Sequence, residues 1–270
     1  MTTNYSDRLP LVMLTNDDGY GTPGIEAMVS ALETWAGVMV IAPELDQSAC
    51  SHRFTFRNPL YWKKLGRDRY CLDGTPVDCV YVGIFGGERI SSRVPDLVVS
   101  GLNSGCNLGL DTYYSGTVAA AREAAIRGLP GLAVSADRGT DLCSAARLCS
   151  DLAACLLEVL QPSRPVVLNV NVPANGTWKL CRTRLGRRAY GDGVQFRRDS
   201  EGRECLWLGD TGWVSDDLTP GTDTHAVNEG LVSVTGLPLT PSGEGEADGV
   251  VDAVLEVFNR FSKGELNDDE

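Results

Sequence analysis

MLTNDDGYGTPGI, residues 13–25, decides how the rest of the chain is read. The apolar run 11–14 leads straight into Asn16, Asp17 and Asp18, and glycines at 19, 21 and 24 follow with Pro23 between them. From Pro23 onward Ile25, Met28, Val29 and Leu32 share one face at helical spacing, which predicts a helix to about residue 35. The stretch therefore reads as buried strand, tight turn, helix. An aspartate before a helix is commonly an N-cap with a solvated neighbour. Here the pair follows a buried strand directly, and the glycines let backbone approach a ligand closely. Adjacent carboxylates repel, and a divalent cation would remove that repulsion.

The same alternation continues outward. Residues 38–42 form a second apolar strand, stopped by Pro43. Residues 61–65 and 69–72 suit a small hairpin, and Thr75-Pro76 opens a helix. Strands follow at 96–100, 131–136 and 166–170, with helices at 115–127 and 142–160 between them. Strands alternating with helices imply a parallel-rich α/β sheet covered on both faces. Ligands of such sheets bind beyond the carboxyl ends of the strands. The Asp pair, residues 43–48 and residues 101–107 all lie at such ends and converge on one crevice. After Pro173 the pattern changes. Residues 182–213 are polar and suit a long hairpin or excursion; Arg182, Arg184, Arg187, Arg188, Arg197, Arg198 and Arg203 cluster there. A solvated hairpin or subunit contact accounts for these arginines, and an electrostatic guide for anions is the sharper alternative. Residues 231–235 read as a strand. Residues 247–261 read as an amphipathic helix with Val250, Val251, Val254, Phe258 and Phe261 on one stripe, before an acidic, frayed tail at 265–270. We expect a catalytic core at 1–180 and a C-terminal arm of hairpin, closing strand and helix at 181–270, used in oligomerisation.

The formal net charge of −12 disfavours binding to duplex nucleic acid or an anionic membrane. An anionic substrate remains open to an acidic protein if a metal reverses the local field. The nine cysteines are odd in number and lack C-x-x-C spacing, so they read as reduced thiols of a cytoplasmic protein. No apolar stretch is long enough to span a bilayer, and the first residues lack the pattern of a signal peptide.

Asn103 and Asn107 stand in the turn-rich stretch SGLNSGCN, 100–107, where Asn103 could offer a carbonyl ligand and Asn107 an amide donor. Ser115 and Thr117 flank Gly116 at the start of an alanine-rich helix, either as ordinary caps or as a phosphate seat on free N–H groups. Two carboxylates, an amide oxygen and a hydroxyl are hard ligands that favour Mg²⁺ or Mn²⁺ over zinc or copper. Such an ion would polarise a phosphoryl oxygen and could activate water.

On TNDDGYGTPGI (15–25), APELDQS (42–48), GTPVDCV (74–80), SGLNSGCNLGLDTYYSGTVAAAREA (100–124) and GTDTHAVNEGLVSVT (221–235), the chain resembles the SurE family of survival-protein nucleotidases. The resemblance spans residues 10–235 and rests on several motifs in the same order. It implies a metal-dependent phosphatase, a 5′/3′-nucleotidase acting on nucleoside monophosphates, with short polyphosphate hydrolysed by some members. It implies Asp17, Asp18, Ser48 and Asn103 as ligands of one divalent ion per subunit, with Asp17 and Asp18 catalytic. Asn107, Ser115, Gly116 and Thr117 would hold the phosphate. The implied fold is a Rossmann-like three-layer α/β/α core whose C-terminal arm exchanges between subunits of a homodimer or homotetramer.

The chain departs from the family at two places. Ala49 stands where glycine is usual after the serine ligand, and the tail GLPLTPSGEGE lacks the Asp–His pair found in some members. His225 is the only downstream histidine, either structural beside Asp223 or part of the site. Two rival classes fit less well. A haloacid-dehalogenase-like phosphatase needs D-x-D, and Asn16 occupies the nucleophile's place. Gly19, Gly21 and Gly24 have dinucleotide-motif spacing, but the preceding carboxylates would repel a pyrophosphate. A non-catalytic nucleotide-binding module is a third alternative, distinguished by binding without phosphate release.

Overall fold

The structure, a computed structural model, describes residues 8–160, 165–191, 193–209, 214–239 and 248–262, with Asp248, Phe261 and Ser262 described by backbone alone. The acidic tail expected at 265–270 and the side chain of Phe261 lie outside the described residues.

Six strands build the parallel centre: β1 (Leu11–Thr15), β2 (Gly37–Pro43), β4 (Arg69–Leu72), β5 (Leu97–Ser104), β6 (Gly131–Ala136) and β7 (Val167–Val172). Both faces of these strands are covered, which is why their sequences are nearly unbroken apolar runs rather than alternating ones. β3 (Trp62–Gly66) adds an antiparallel edge beside β4. At the other edge β13 (Val232–Leu237) runs antiparallel to β7, and β8 (Leu180–Thr183) lies outside it. The nine strands are ordered β3-β4-β2-β1-β5-β6-β7-β13-β8.

Helices α1 (Pro23–Leu32), α4 (Leu142–Val159) and α6 (Asp248–Ser262) cover one face of the sheet. On the other lie α2 (Pro76–Phe85) and α3 (Gly116–Ile126). α2 starts on a capping box in which Thr75 and Asp78 satisfy each other's backbone N–H. α1 sits so close to β5 that a Cβ at Gly24 would fall 2.1 Å from the Leu102 carbonyl oxygen, so only glycine fits.

The C-terminal part differs from the division expected at residue 180. That boundary falls inside β8, and β8, β13 and α6 complete the core. The stripe of α6 is buried on its own chain through Val250, Val251, Val254 and Val257, with Phe258 packed beside them. Each such burial is worth about 1.5–3 kcal/mol, so α6 needs no neighbouring subunit. What projects is β9 (Arg188–Tyr190) paired with β12 (Val214–Asp216), and the ribbon β10 (Val194–Arg198) with β11 (Glu204–Leu208). A short helix, α5 (Asp223–Asn228), precedes β13. Among the described residues no helix is long and apolar enough to cross a membrane.

Candidate active site

Strand order reverses at β1, which has β2 on one side and β5 on the other. A crevice opens at such a switch point because the loops leaving adjacent strands diverge. Here the loops after β1, β2, β5 and β6 line a cleft of about 480 Å³ that includes Asp17, Asp18, Ser48, Asn103, Asn107 and Ser115.

Asp17 is almost wholly buried, and its carboxylate accepts hydrogen bonds from the Thr117 amide at 3.0 Å and the Thr117 hydroxyl at 2.5 Å. Its carbonyl accepts the Gln47 amide at 2.7 Å, which ties the β2 loop to the β1 loop. The start of α3 presses against it: a Cβ on Gly116 would lie 2.9 Å from the Asp17 Cβ and 2.8 Å from the Cys50 sulfur. Among the described residues Asp18 accepts one hydrogen bond, from the Ser104 amide at 3.2 Å. Burial pushes the Asp17 carboxyl above the usual range, against the opposing Thr117 bonds. Burial and then the neighbouring Asp17 charge do the same to Asp18, and Asp46 adds to both. Among the described residues no lysine or arginine pairs with either.

The remaining oxygen donors are arranged locally. Ser48 donates its amide and hydroxyl to Asp46 Oδ1 at 2.8 and 2.6 Å, so its hydroxyl hydrogen is committed and its lone pairs are not. Asn103 donates Nδ2 to the Gly105 carbonyl at 2.7 Å, leaving Oδ1 without a partner among the described residues. Two carboxylates carrying uncompensated charge, one amide oxygen and one hydroxyl form an all-oxygen set that fits a hard divalent cation. Asn16 closes the turn through Gly19 and Thr22 and does not line the cleft.

Ser115 caps α3 by accepting the Val118 amide at 3.1 Å, and its residue lines the cleft. Thr117 and Gly116 stand behind it. Both donors of Thr117 go to Asp17, which satisfies the buried carboxylate. In this arrangement Thr117 supports the Asp17 carboxylate. Of the first amides of α3, that of Gly116 is left without an acceptor among the described residues.

The opposite wall was not visible in the sequence. Asp111, in a 3₁₀ turn at Gly109–Tyr113, accepts the Tyr190 hydroxyl at 2.7 Å and Arg188 at 3.3 Å. Arg188 also grips Asp216 with two bonds of 2.7 and 2.9 Å. Arg138, just past β6, lines the cleft with no carboxylate partner among the described residues. Asp223 is fully buried and accepts the amides of Gly109, Gly186 and Thr224, tying the 3₁₀ turn to the chain ahead of β9. His225 does not line the cleft; its amide is capped by Thr222 in the first turn of α5. Of the other arginines, Arg182, Arg198 and Arg203 pair with Asp252, Glu204 and Asp199. Cys106 lines the cleft and Cys50 adjoins Asp17. Burial pushes their thiols to about 12 and about 11, so neither is a thiolate at neutral pH.

The fold and this cleft define a doubly wound α/β protein with an acidic, oxygen-lined cleft at the carboxyl ends of its parallel strands. Residues 12–192 match the family model described as Survival protein SurE. The chain belongs to the SurE survival-protein family. It is 48% identical over 233 residues to the 5′-nucleotidase SurE of Sorangium cellulosum, covering 85% of this chain and 90% of that one. With the 5′-nucleotidase SurE of Syntrophotalea carbinolica it shares 46% over 232 residues, covering 85% and 91%. The crystal structure of the SurE protein from Aquifex aeolicus superposes with a TM-score of 0.73 at 37% identity, covering 90% of this chain and 98% of that one.

Proposed function

We propose that this chain is a divalent-metal-dependent phosphomonoesterase that hydrolyses nucleoside 5′- and 3′-monophosphates to nucleoside and phosphate, with short polyphosphate a further substrate. The observation that carries the reading is the uncompensated pair of buried Asp17 and half-buried Asp18 at the switch point of the sheet. The names of the curated relatives support nucleotidase activity. Asp17, Asp18, Ser48 and Asn103 would hold one Mg²⁺ or Mn²⁺ per subunit, which supplies Lewis-acid stabilisation of phosphoryl charge. Asn107, Ser115, Gly116 and Thr117 would hold the phosphate at the positive end of α3. Thr117 fixes the Asp17 carboxylate, and Arg138 supplies the cleft with positive charge. Hydrolysis is by direct attack of water, since no D-x-D nucleophile is present and the two nearest thiols stay protonated. Hydrolysis of a substrate made chiral at phosphorus should proceed with inversion, as a single in-line attack of water requires; retention would mean two displacements through a covalent phospho-enzyme.

Phosphate release from a nucleotide panel, with chelator and with single metals restored, tests the whole reading. Full activity in chelator with no retained metal would sink it. Nucleotide binding without turnover would instead favour a non-catalytic module.

We also propose that the protein is cytoplasmic, on its nine free thiols, and that it forms a homodimer or homotetramer. On β10–β11, Val194 lies opposite Leu208 and Phe196 opposite Leu206, so the four share one face. Phe196 is 80% and Leu208 77% exposed. An isolated two-stranded ribbon is marginal in water, and a second copy would cover this face. Phe196→Glu with Leu208→Glu should convert the assembly to monomers in sedimentation. A wild-type monomer at micromolar concentration would contradict the proposal.

A further inference from the structure

β7 carries two asparagines inside an otherwise apolar strand, and both are fully buried. Asn169 and Asn171 are two residues apart, so they point to the same face of the sheet. Burying an amide side chain is costly unless its hydrogen bonds are made. These bonds converge on one residue. Asn171 Oδ1 accepts the Asn107 amide at 2.7 Å, and Asn171 Nδ2 donates to the Asn107 carbonyl at 3.2 Å. Asn169 Nδ2 donates to the same carbonyl at 2.9 Å. Ser135, the register partner of Asn171 on β6, accepts the Asn107 side-chain amide at 3.0 Å. Ser233, its partner on β13, receives a further Asn171 contact at 3.4 Å.

Both main-chain groups and the side-chain amide of Asn107 are thus fixed from below by β6 and β7. One hydrogen of its amide goes to Ser135; the second hydrogen and Oδ1 remain for the cleft that Asn107 lines. We infer that Ser135, Asn169 and Asn171 are positioning residues that set the backbone and the side-chain orientation of Asn107 for phosphate. The inference rests on the reading of Asn107 as a phosphate-holding residue. A misplacement of about 1 Å in such a group costs up to ~10²-fold in rate.

The test uses the full chain with its metal, comparing Ser135→Ala, Ser135→Thr and Asn171→Ser with Asn107→Ala. The probe is inorganic phosphate, read as a competitive inhibitor and as a rise in melting temperature on binding. Ser135→Ala and Asn171→Ser should weaken both phosphate readouts and lower kcat/KM about tenfold, with the Mn²⁺ concentration for half activation unchanged. Ser135→Thr, which keeps the hydroxyl, should restore most of the loss. If Asn107→Ala weakens phosphate but Ser135→Ala does not, the positioning role is overturned. If Asn107→Ala leaves phosphate unaffected, the underlying reading of Asn107 fails first. A lower melting temperature in Ser135→Ala with unaltered phosphate inhibition would mark the row as structural only. Should Asn171→Ser not fold, Ser135→Ala decides alone.

Discussion

The two walls of the cleft treat aspartates in opposite ways. On the β1 wall the buried Asp17 and the half-buried Asp18 stand side by side and, among the described residues, meet no protein cation. On the β9 wall Asp111 and Asp216 flank Arg188, whose guanidinium is held above its ordinary range, by the Asp216 hydrogen bonds first. One wall is neutralised by the protein and the other is not. A buried carboxylate without a counter-charge costs stability. Where a fold retains two of them at a strand end, ligand binding is the compensating gain. The contrast supports our proposal that metal and phosphate bind at the β1 wall, with the β9 wall giving the cleft its shape.

The largest effect tests that assignment directly. Asp17→Asn or Asp18→Asn should lower kcat by on the order of 10³ or more, the loss expected when several kcal/mol of transition-state stabilisation disappear. Asp18→Asn should at the same time raise the melting temperature of metal-free protein at neutral pH. The sign follows from linkage. A carboxyl whose folded pKa is raised binds its proton more readily in the folded state. Its ionised form therefore destabilises the fold above that pKa, and the loss is recovered as pH falls through it toward the unfolded value. Asparagine removes the charge at all pH values, so the stability gain should shrink as the pH is lowered. A destabilised Asp18→Asn at neutral pH would mean that the wall is compensated by something else.

Removing charge from the other wall should do the reverse. Arg188→Met leaves Asp111 and Asp216 largely buried without their partner, at a cost of about 3 kcal/mol. The 3₁₀ turn that leads into α3 loses one support, so kcat/KM should fall about tenfold, well short of the Asp17 effect. Thermal melts and steady-state rates check both halves. If Arg188→Met were neutral in stability while Asp18→Asn destabilised, the comparison would be inverted.

This difference between the walls also explains what could be read from sequence. The parallel strands announce themselves because burial on both faces leaves apolar runs such as those at 11–14 and 131–134. The β1 wall was legible for the same reason: its polar residues follow those runs immediately. β8 was missed because LCRT is only half-buried, and α5 because six residues carry too little periodicity. The far wall needs tertiary pairing. Arg188 meets Asp111 across 77 positions and Asp216 across 28, and no local pattern encodes such a contact. Asn169 and Asn171 did leave a signal, two amides on one face of a buried strand, but its meaning required knowing what lay above that face. The stripe at 247–261 was visible, while the surface that covers it was not.

A smaller effect concerns the one unpaired cation of the cleft among the described residues. Arg138→Gln should raise KM for a nucleoside monophosphate about fivefold and leave kcat within twofold, the signature of an interaction made equally in ground and transition states. Added salt should narrow the difference, because an exposed charge acts through a screened field. An unchanged KM at low salt would remove Arg138 from the reading and leave the phosphate to Asn107 and α3.

The smallest effect lies in the loop carrying Ser48. Ala49 and Ser51 both sit in left-handed backbone, at φ of 59° and 54°. The strain is similar, but its compensation differs. Ser51 donates its amide to the Tyr114 carbonyl at 2.9 Å and its hydroxyl to the Tyr113 carbonyl at 2.6 Å, so the conformation is locked from across the loop. Ala49 has only a methyl group to offer and stands where the family usually has glycine. Left-handed backbone costs a non-glycine residue about 1–2 kcal/mol. Glycine escapes that cost but loses about 0.5–1 kcal/mol through the greater freedom of the unfolded chain. Ala49→Gly should thus stabilise by about 0.5 kcal/mol, a rise in melting temperature of roughly 1–2 °C, with activity within twofold. Ser51→Gly relieves the same strain but forfeits a side-chain hydrogen bond worth about 1 kcal/mol, so it should be neutral or destabilising. Thermal melts of the two variants side by side check the pair. A larger gain from Ser51→Gly than from Ala49→Gly would show that the hydrogen bond to Tyr113 does not hold this loop, and that the position of Ser48 is set from the Asp17 side alone.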